Sequence, residues 1–205
     1  MDLNGIIAGL IGYLFGCINA AYFVGKLKGK DIRAIGSNNA GASNTFIMIG
    51  KGWGVLVGVF DILKSYLAAL LVSVLFPGNE LLPIIAGAAA VFGHIFPFWM
   101  KFKGGKGLAC LMGLLLYMDW KYFVIMGILI VAITLITDFI SIGTIAVAVL
   151  MPVVLIFQKA AAPVIGIFVV LAIVIFCKHI INIRRIKNKE EYGFLRKNRG
   201  KYVKK

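Results

Sequence analysis

The chain alternates long apolar runs with short polar connections. Seven runs stand out, at about 4–25, 52–76, 82–100, 107–118, 121–136, 142–157 and 163–178. A helix needs roughly 20 apolar residues to cross the hydrocarbon of a bilayer. In lipid every backbone group must find its partner within the protein. The pattern therefore predicts an all-α integral membrane protein of seven transmembrane helices, some of them short. The fourth run, 107–118, is too short for an ordinary crossing. Non-helical or shortened backbone at that depth is tolerated only where protein or a water-filled cavity covers it, so this run points to a site at the membrane face.

The first run, Ile6–Val24, is interrupted by Gly16, Cys17 and Asn19, and no positive residues precede it. It reads as a retained span, not a cleaved leader. The spans and their connections account for the whole chain, which predicts a single polytopic domain, 1–205, ending in a basic tail, 179–205.

Composition excludes a soluble fold: 61% of the 205 residues are hydrophobic and 15% charged, with a mean hydropathy of +0.97. Globular chains run to about 45–50% apolar and about 25% charged. Cys17, Cys110 and Cys177 are scattered through apolar runs, a pattern of inert buried thiols and neither a disulfide framework nor a metal site.

The formal net charge is +14. The basic residues fall between the spans, where they set orientation and attract anionic lipid or phosphate, and nucleic acid is not an expected partner. Lys26, Lys28, Lys30, Arg33 and Lys51 lie in one connection, Lys101, Lys103 and Lys106 in another, and eleven basic residues in 178–205. The alternate connections carry few charges. Seven crossings with the N-terminus outside and the C-terminus cytoplasmic place every basic segment on the cytoplasmic side.

Four polar clusters sit on that side. DIRAIGSNNAGASN gathers Gly36, Ser37, Asn39, Gly41 and Asn44. Glycines let backbone N–H groups converge on an anion, and Ser and Asn add short donors, although the same composition also suits a plain solvated loop. HIFPFWMKFKGGKG begins at His94 and brings Lys103, Gly104, Gly105, Lys106 and Gly107 to a helix start, as a phosphate cradle or as a positive anchor for the third span. It is not a Walker A loop, because Gly107 stands where Ser or Thr is required. Asp61 and Lys64 are three apart within the second span, facing a polar cavity or each other. HIINIRRIKNKEE puts His179 and Asn182 on one helix face, with Glu191 at its end. No HExxH, no nucleophile elbow and no Cys–His pairing accompanies these clusters, so neither covalent chemistry nor a metal or other cofactor is expected.

These motifs resemble those of the bacterial acylphosphate:glycerol-3-phosphate acyltransferases, the PlsY family. The segment 31–44 is similar to the family's Gly-Ser-Gly-Asn-x-Gly-Ala-Thr-Asn motif, and GHIFPFWMKFKGGKG to its second motif. HIINIRRIKNKEE is similar to its third, His-x-x-Asn-Ile-x-Arg-Leu-x-x-Gly-x-Glu. Asp61 and Lys64 match its Asp-x-x-Lys, and Ser141 the serine of its Tyr-Val-Ser-Leu stretch. The resemblance implies transfer of a fatty acyl group from acyl phosphate to the 1-hydroxyl of glycerol 3-phosphate, in the cell membrane, with the active site facing the cytoplasm. It makes Ser37, Lys106, His179 and Asn182 catalytic residues. It makes Gly36, Asn39, Gly41, Asn44, Asp61, Lys64, His94, Lys103, Gly104, Gly105, Gly107, Ser141 and Glu191 substrate-binding residues. The partners implied are acyl phosphate, glycerol 3-phosphate and membrane lipids.

The chain departs from the pattern at a few positions. Asn38 replaces the second glycine of the first motif, and Asn tolerates positive φ. Ser43 replaces its Thr. Ile47 stands where the family has an Arg suited to gripping substrate phosphate. Asp138 stands where a basic residue is common, and Lys189 replaces the glycine of the third motif. Such departures also fit a divergent paralogue with altered acceptor specificity, or a non-catalytic lipid- or phosphate-binding relative. A small transporter fits less well, because the polar residues gather at one membrane face and the halves show no internal repeat.

Overall fold

The computed structural model describes residues 2–193; the last part of the tail, 194–205, lies outside the described residues. Among the described residues the regular structure is helical: α1 (Leu3–Cys17), α2 (Ala20–Leu27), α3 (Ala42–Met48), α4 (Lys51–Leu75), α5 (Leu81–Ile95), a 3-10 turn (Phe98–Met100), α6 (Leu108–Met118), α7 (Trp120–Thr137), α8 (Ile140–Phe157) and α9 (Ala162–Lys187). Among the described residues, six segments are long and apolar enough to cross a membrane: Leu3–Leu27, Lys51–Leu75, Leu81–Met100, Trp120–Thr137, Ile140–Phe157 and Ala162–Lys187. The run at 107–118 forms the eleven-residue α6, about 16 Å long and half the thickness of a hydrocarbon core. The chain divides into two compact units, the first ending at Trp120 and the second beginning at Lys121.

In the first unit, α5 packs on α1 and α4, and α6 packs on α4 and α5. Without a hydrophobic force between helices in lipid, small residues that allow close backbone approach drive such packing. Gly12 and Gly16 on α1 lie directly against the backbone of Ala86 and Ala90 on α5, where a Cβ would overlap main-chain atoms.

The first span is not one helix, as its sequence suggested, but two. Between α1 and α2, Ile18 and Asn19 are extended, which frees two carbonyls at a depth where an unpaired group costs several kcal/mol. Both find partners: Trp99 Nε1 donates to the Cys17 carbonyl at 2.9 Å, and Lys64 Nζ donates to the Ile18 carbonyl at 2.8 Å.

In the second unit, α8 packs against α9, and the hydroxyl of Tyr122 on α7 meets the side chain of Gln158 just after α8. The final helix runs to Lys187, nine residues past the predicted end of its span. Ile180, Ile181, Ile183 and Ile186 alternate with the basic residues of the third motif and keep the segment helical beyond the continuous apolar stretch. The expected thiols are partly corrected: Cys17 and Cys110 are buried, but Cys177 is exposed on α9.

Candidate functional site

The loop between α2 and α4 is organised by one side chain. Asn44, buried near the start of α3, donates from Nδ2 to the carbonyls of Ile32 (2.9 Å), Ile35 (3.0 Å) and Asn39 (3.0 Å). Its Oδ1 accepts from the Ser37 N–H at 3.0 Å. The loop thus curls around Asn44. Gly36 has φ +60°, and a Cβ there would overlap Asn44 Oδ1. Asn38, in the family's second glycine position, has φ +59°, so the substitution keeps the turn. A further anchor comes from Asn19, whose Nδ2 donates to the Ala40 carbonyl at 3.1 Å and whose Oδ1 caps α2 at the Tyr22 N–H. Ser37 and Asn39 are half-buried on this loop.

The loop 96–107 is held by its main chain. Gly104 N–H donates to the Ile95 carbonyl (3.2 Å), and Gly105 N–H donates to the His94 carbonyl (3.0 Å). These bonds satisfy carbonyls at the C-terminus of α5 that no helical N–H reaches. A Cβ on Gly104 would overlap the His94 carbonyl, and one on Gly105 the His94 ring. The expectation that both glycines present N–H groups to phosphate is therefore corrected: their N–H groups close the end of α5, and the residues are glycine because the loop lies flat against that helix. Gly107, at φ +96°, turns the chain into α6, with half-buried Lys106 just before it.

Behind this loop lies a buried charged triad. Lys64 Nζ is 2.7 Å from Asp61 Oδ1 and 3.1 Å from His94 Nδ1, and His94 Nδ1 is 3.4 Å from Asp61 Oδ1. Asp61 and Lys64 face each other, one of the two alternatives open from the sequence. Asp61, His94 and Cys110 bring ligand-type atoms within 4.8 Å of one another. The Lys64 ammonium already supplies positive charge beside two of these three atoms, so the set does not suit a metal cation.

In the second unit, Ser141 opens α8, and His179 and Asn182 lie on α9. The two helices are joined by a four-residue turn. Ser141 precedes that turn and His179 follows it by about 24–26 Å of helix at about 1.5 Å per residue, so this antiparallel hairpin sets them at a similar height. Ser141 is buried, and its Oγ has no hydrogen-bond partner among the described residues. His179 Nδ1 lies 2.8 Å from the Ile175 carbonyl. A carbonyl only accepts, so this contact assigns a proton to Nδ1. Asn182 Nδ2 donates to Glu191 Oε1 at 2.6 Å, folding the chain after α9 back onto the helix. Lys189, in the family's glycine position, takes φ +57°.

The family model for glycerol-3-phosphate acyltransferase matches residues 6–189. The chain belongs to that family. It is 38% identical over 194 residues to glycerol-3-phosphate acyltransferase 1 of Oceanobacillus iheyensis, covering 91% of this chain and 93% of that one. It is 37% identical over 210 residues to the glycerol-3-phosphate acyltransferase of Enterococcus faecalis, covering 98% and 96%. The crystal structure of PlsY (YgiH), an integral membrane glycerol 3-phosphate acyltransferase in its glycerol 3-phosphate form, matches with a TM-score of 0.86 at 29% identity, covering 93% of this chain and 95% of that one. Its lysophosphatidic acid form matches at 0.82 and 28%, covering 92% and 94%. The fold is thus that of an integral membrane acyltransferase.

Against this family fold, the expected site residues divide by what they touch. Ser37, Asn39 and Lys106 lie on the loops. Asn44 is consumed by its own loop, Asp61, Lys64 and His94 by one another, and Asn182 is bonded to Glu191. Gly41 is buried at the start of α3, and Lys103 lines a separate cavity with Arg33 and Lys101. Sequence reading missed Asn19 and Trp99, which join the broken first span to the two loops. A polar Asn inside an apolar run was the available signal for Asn19; nothing local marks Trp99.

Proposed function

We propose that this protein is a glycerol-3-phosphate acyltransferase that transfers a fatty acyl group from acyl phosphate to the 1-hydroxyl of glycerol 3-phosphate, giving lysophosphatidic acid for phospholipid synthesis. One observation carries the reading. The chain matches, over nearly its full length, the same PlsY fold in a glycerol 3-phosphate form and in a lysophosphatidic acid form. Those two molecules differ by one acyl group, so they are acceptor and product of a single transfer.

The donor is a mixed anhydride and is already activated. The acceptor hydroxyl oxygen attacks the acyl carbon, the bond from that carbon to the phosphate oxygen breaks, and inorganic phosphate leaves. The hydroxyl proton passes to the acceptor's own phosphate, so no covalent enzyme intermediate is needed. Catalysis rests on positioning and on neutralising phosphate charge. In this proposal Lys106 and Ser37 contact phosphate, with Asn39 beside them on the same loop. Ser141 Oγ gives its unused hydrogen bond to substrate phosphate, and His179, its ring held by the Ile175 carbonyl, orients the substrate. Gly36, Asn44, Gly104, Gly105 and Gly107 act by shaping the loops, and Asn182 with Glu191 by holding the end of α9.

The topology belongs to the same proposal. Seven crossings, with α6 as a short fourth, place the N-terminus outside and the C-terminus in the cytoplasm. The chain works as one polytopic domain of the cell membrane, its basic tail and substrate-facing loops on the cytoplasmic side. Accessibility labelling of single cysteines at Asn79 and Lys189 should report opposite sides; same-side labelling contradicts the topology.

The activity is tested with purified protein, acyl phosphate and glycerol 3-phosphate. The expected result is lysophosphatidic acid with one inorganic phosphate released per acyl transferred, and no product from acyl-CoA or acyl carrier protein. Absence of any transfer supports the non-catalytic relative instead.

A further inference from the structure

A second group of cations in the first unit gathers around a cavity of its own. Tyr22, Asp31, Arg33, Trp99, Lys101 and Lys103 line a cavity of about 370 Å³. Arg33 forms its wall in a fixed pose. Its Nε and Nη2 bind Asp31 Oδ1 (3.0 Å) and Oδ2 (2.8 Å), its Nη1 reaches the Met100 carbonyl at 3.4 Å, and its guanidinium lies 5.0 Å from the Tyr22 ring centroid. The Asp31 carboxylate is occupied by these bonds and by the Arg33 main-chain N–H at 3.0 Å. That pairing holds the Asp31 carboxyl down at about 2. The pair is neutral overall, so the net charge of the wall comes from the exposed ammonium groups of Lys101 and Lys103. Lys26 adds a third nearby cation, 5.7 Å over the Tyr22 ring.

The cavity opens where two spans end, the first at Leu27 and the third at Met100. Around it Phe23, Phe98 and Phe102 are 55%, 54% and 58% exposed. Trp and Tyr rings beside basic residues at a span end, here Trp99 and Tyr22 with Lys101 and Lys103, mark the level of lipid headgroups. A soluble anion has no use for that apolar rim, whereas a lipid uses both parts.

We propose that this cavity binds the phosphate headgroup of an anionic glycerolipid from the adjoining leaflet. Lys101 and Lys103 hold the phosphate, Tyr22 and Trp99 wall its glycerol, and the chains lie along Phe98 and Phe102. The volume suits a small headgroup, phosphate or phosphoglycerol. The site is separate from Ser37, Asn39 and Lys106 and does not depend on the acyl-transfer reading.

Native mass spectrometry of the purified full-length protein, titrated with dioleoyl phosphatidic acid or dioleoyl phosphatidylcholine, tests this. Lys101 sits at φ +56°, so Lys101→Asn with Lys103→Gln removes both charges with a residue that tolerates that backbone. Phosphatidic acid should bind this variant at least about tenfold more weakly, at about 1 kcal/mol per basic contact near a membrane surface, and phosphatidylcholine should bind both proteins alike. Lys159 also has a left-handed backbone, at φ +56°, and Lys159→Asn should leave phosphatidic acid binding intact. So should Lys106→Ala, which separates this site from the proposed catalytic one. Equal weakening by Lys159→Asn, or none by the double variant, overturns the proposal. Competition by millimolar inorganic phosphate or glycerol 3-phosphate that strips the lipid from wild-type protein overturns it too, because the cavity is then a soluble-anion pocket.

Discussion

The two polar loops of the first unit read alike in sequence, each glycine-rich and each ending at a helix start, yet they are built by opposite means. The loop 31–44 is gathered by a side chain, with Asn44 spending its whole amide on four backbone groups. The loop 96–107 is gathered by main chain, with Gly104 and Gly105 lying on the end of α5. A glycine-rich run is therefore not by itself an anion cradle. Lys106 is the phosphate-binding candidate that the second loop presents, and the glycines determine where it stands.

The largest expected effect falls on the side-chain-built loop. Asn44→Ala leaves three carbonyls and one N–H to find new partners, at about 1 kcal/mol each, or roughly 3–4 kcal/mol in all. Thermal unfolding in detergent should show this as a markedly lower Tm with loss of acyl transfer. A Tm near wild type would mean that Asn44 does not hold the loop.

Gly104→Ala strikes the other loop through overlap instead of lost bonds. Overpacking typically costs about 1–3 kcal/mol, and here it displaces Lys106 from its position. Activity should fall more than stability. Gly52→Ala, where a Cβ meets nothing within 4 Å, is the control and should be silent. Equal losses at the two glycines would remove the close-approach account.

Ile47 sharpens the comparison at the level of substrate. It lies on α3, one turn beyond Asn44, where the family pattern has Arg. Ile47→Arg should lower the apparent KM for glycerol 3-phosphate by about 10- to 150-fold, the value of one charge-assisted hydrogen bond at about 1.5–3 kcal/mol, with little change in KM for acyl phosphate. An unchanged acceptor KM would show that another base fills the role.

The smallest effect concerns pH. The folded Asp31 carboxyl is depressed to about 2, below the unfolded value of about 3.9. Its contribution is therefore complete above about pH 4 and disappears as pH falls through about 2. Fluorescence of Trp99, 5.0 Å from Tyr22, should shift in that window, and Asp31→Asn should abolish the shift.

Most of the helical layout was legible because a crossing is a long local signal. Six of the seven runs agree with their helical segments to within about two residues at each end, the first as α1 with α2 and the third as α5 with its 3-10 turn. The exception, α9, continues past its apolar stretch because isoleucines persist among its cations. The break after Cys17 was marked by Gly16, Cys17 and Asn19, but its repair by Trp99 and Lys64 involves residues 82 and 46 positions away. No local pattern records such pairings. The motifs located the two polar loops, while the division of labour within them depends on contacts: Asn44 and Asn39 look equivalent in sequence, and only one is buried.

The most direct test compares Lys106→Ala with Lys101→Ala in purified protein, following phosphate release from acyl phosphate with glycerol 3-phosphate as acceptor. The account predicts loss of most activity for Lys106→Ala with a wild-type Tm, and nearly full activity for Lys101→Ala. Equal losses, or activity retained in Lys106→Ala, would contradict it and leave the lysines of this loop as anchors of the third span.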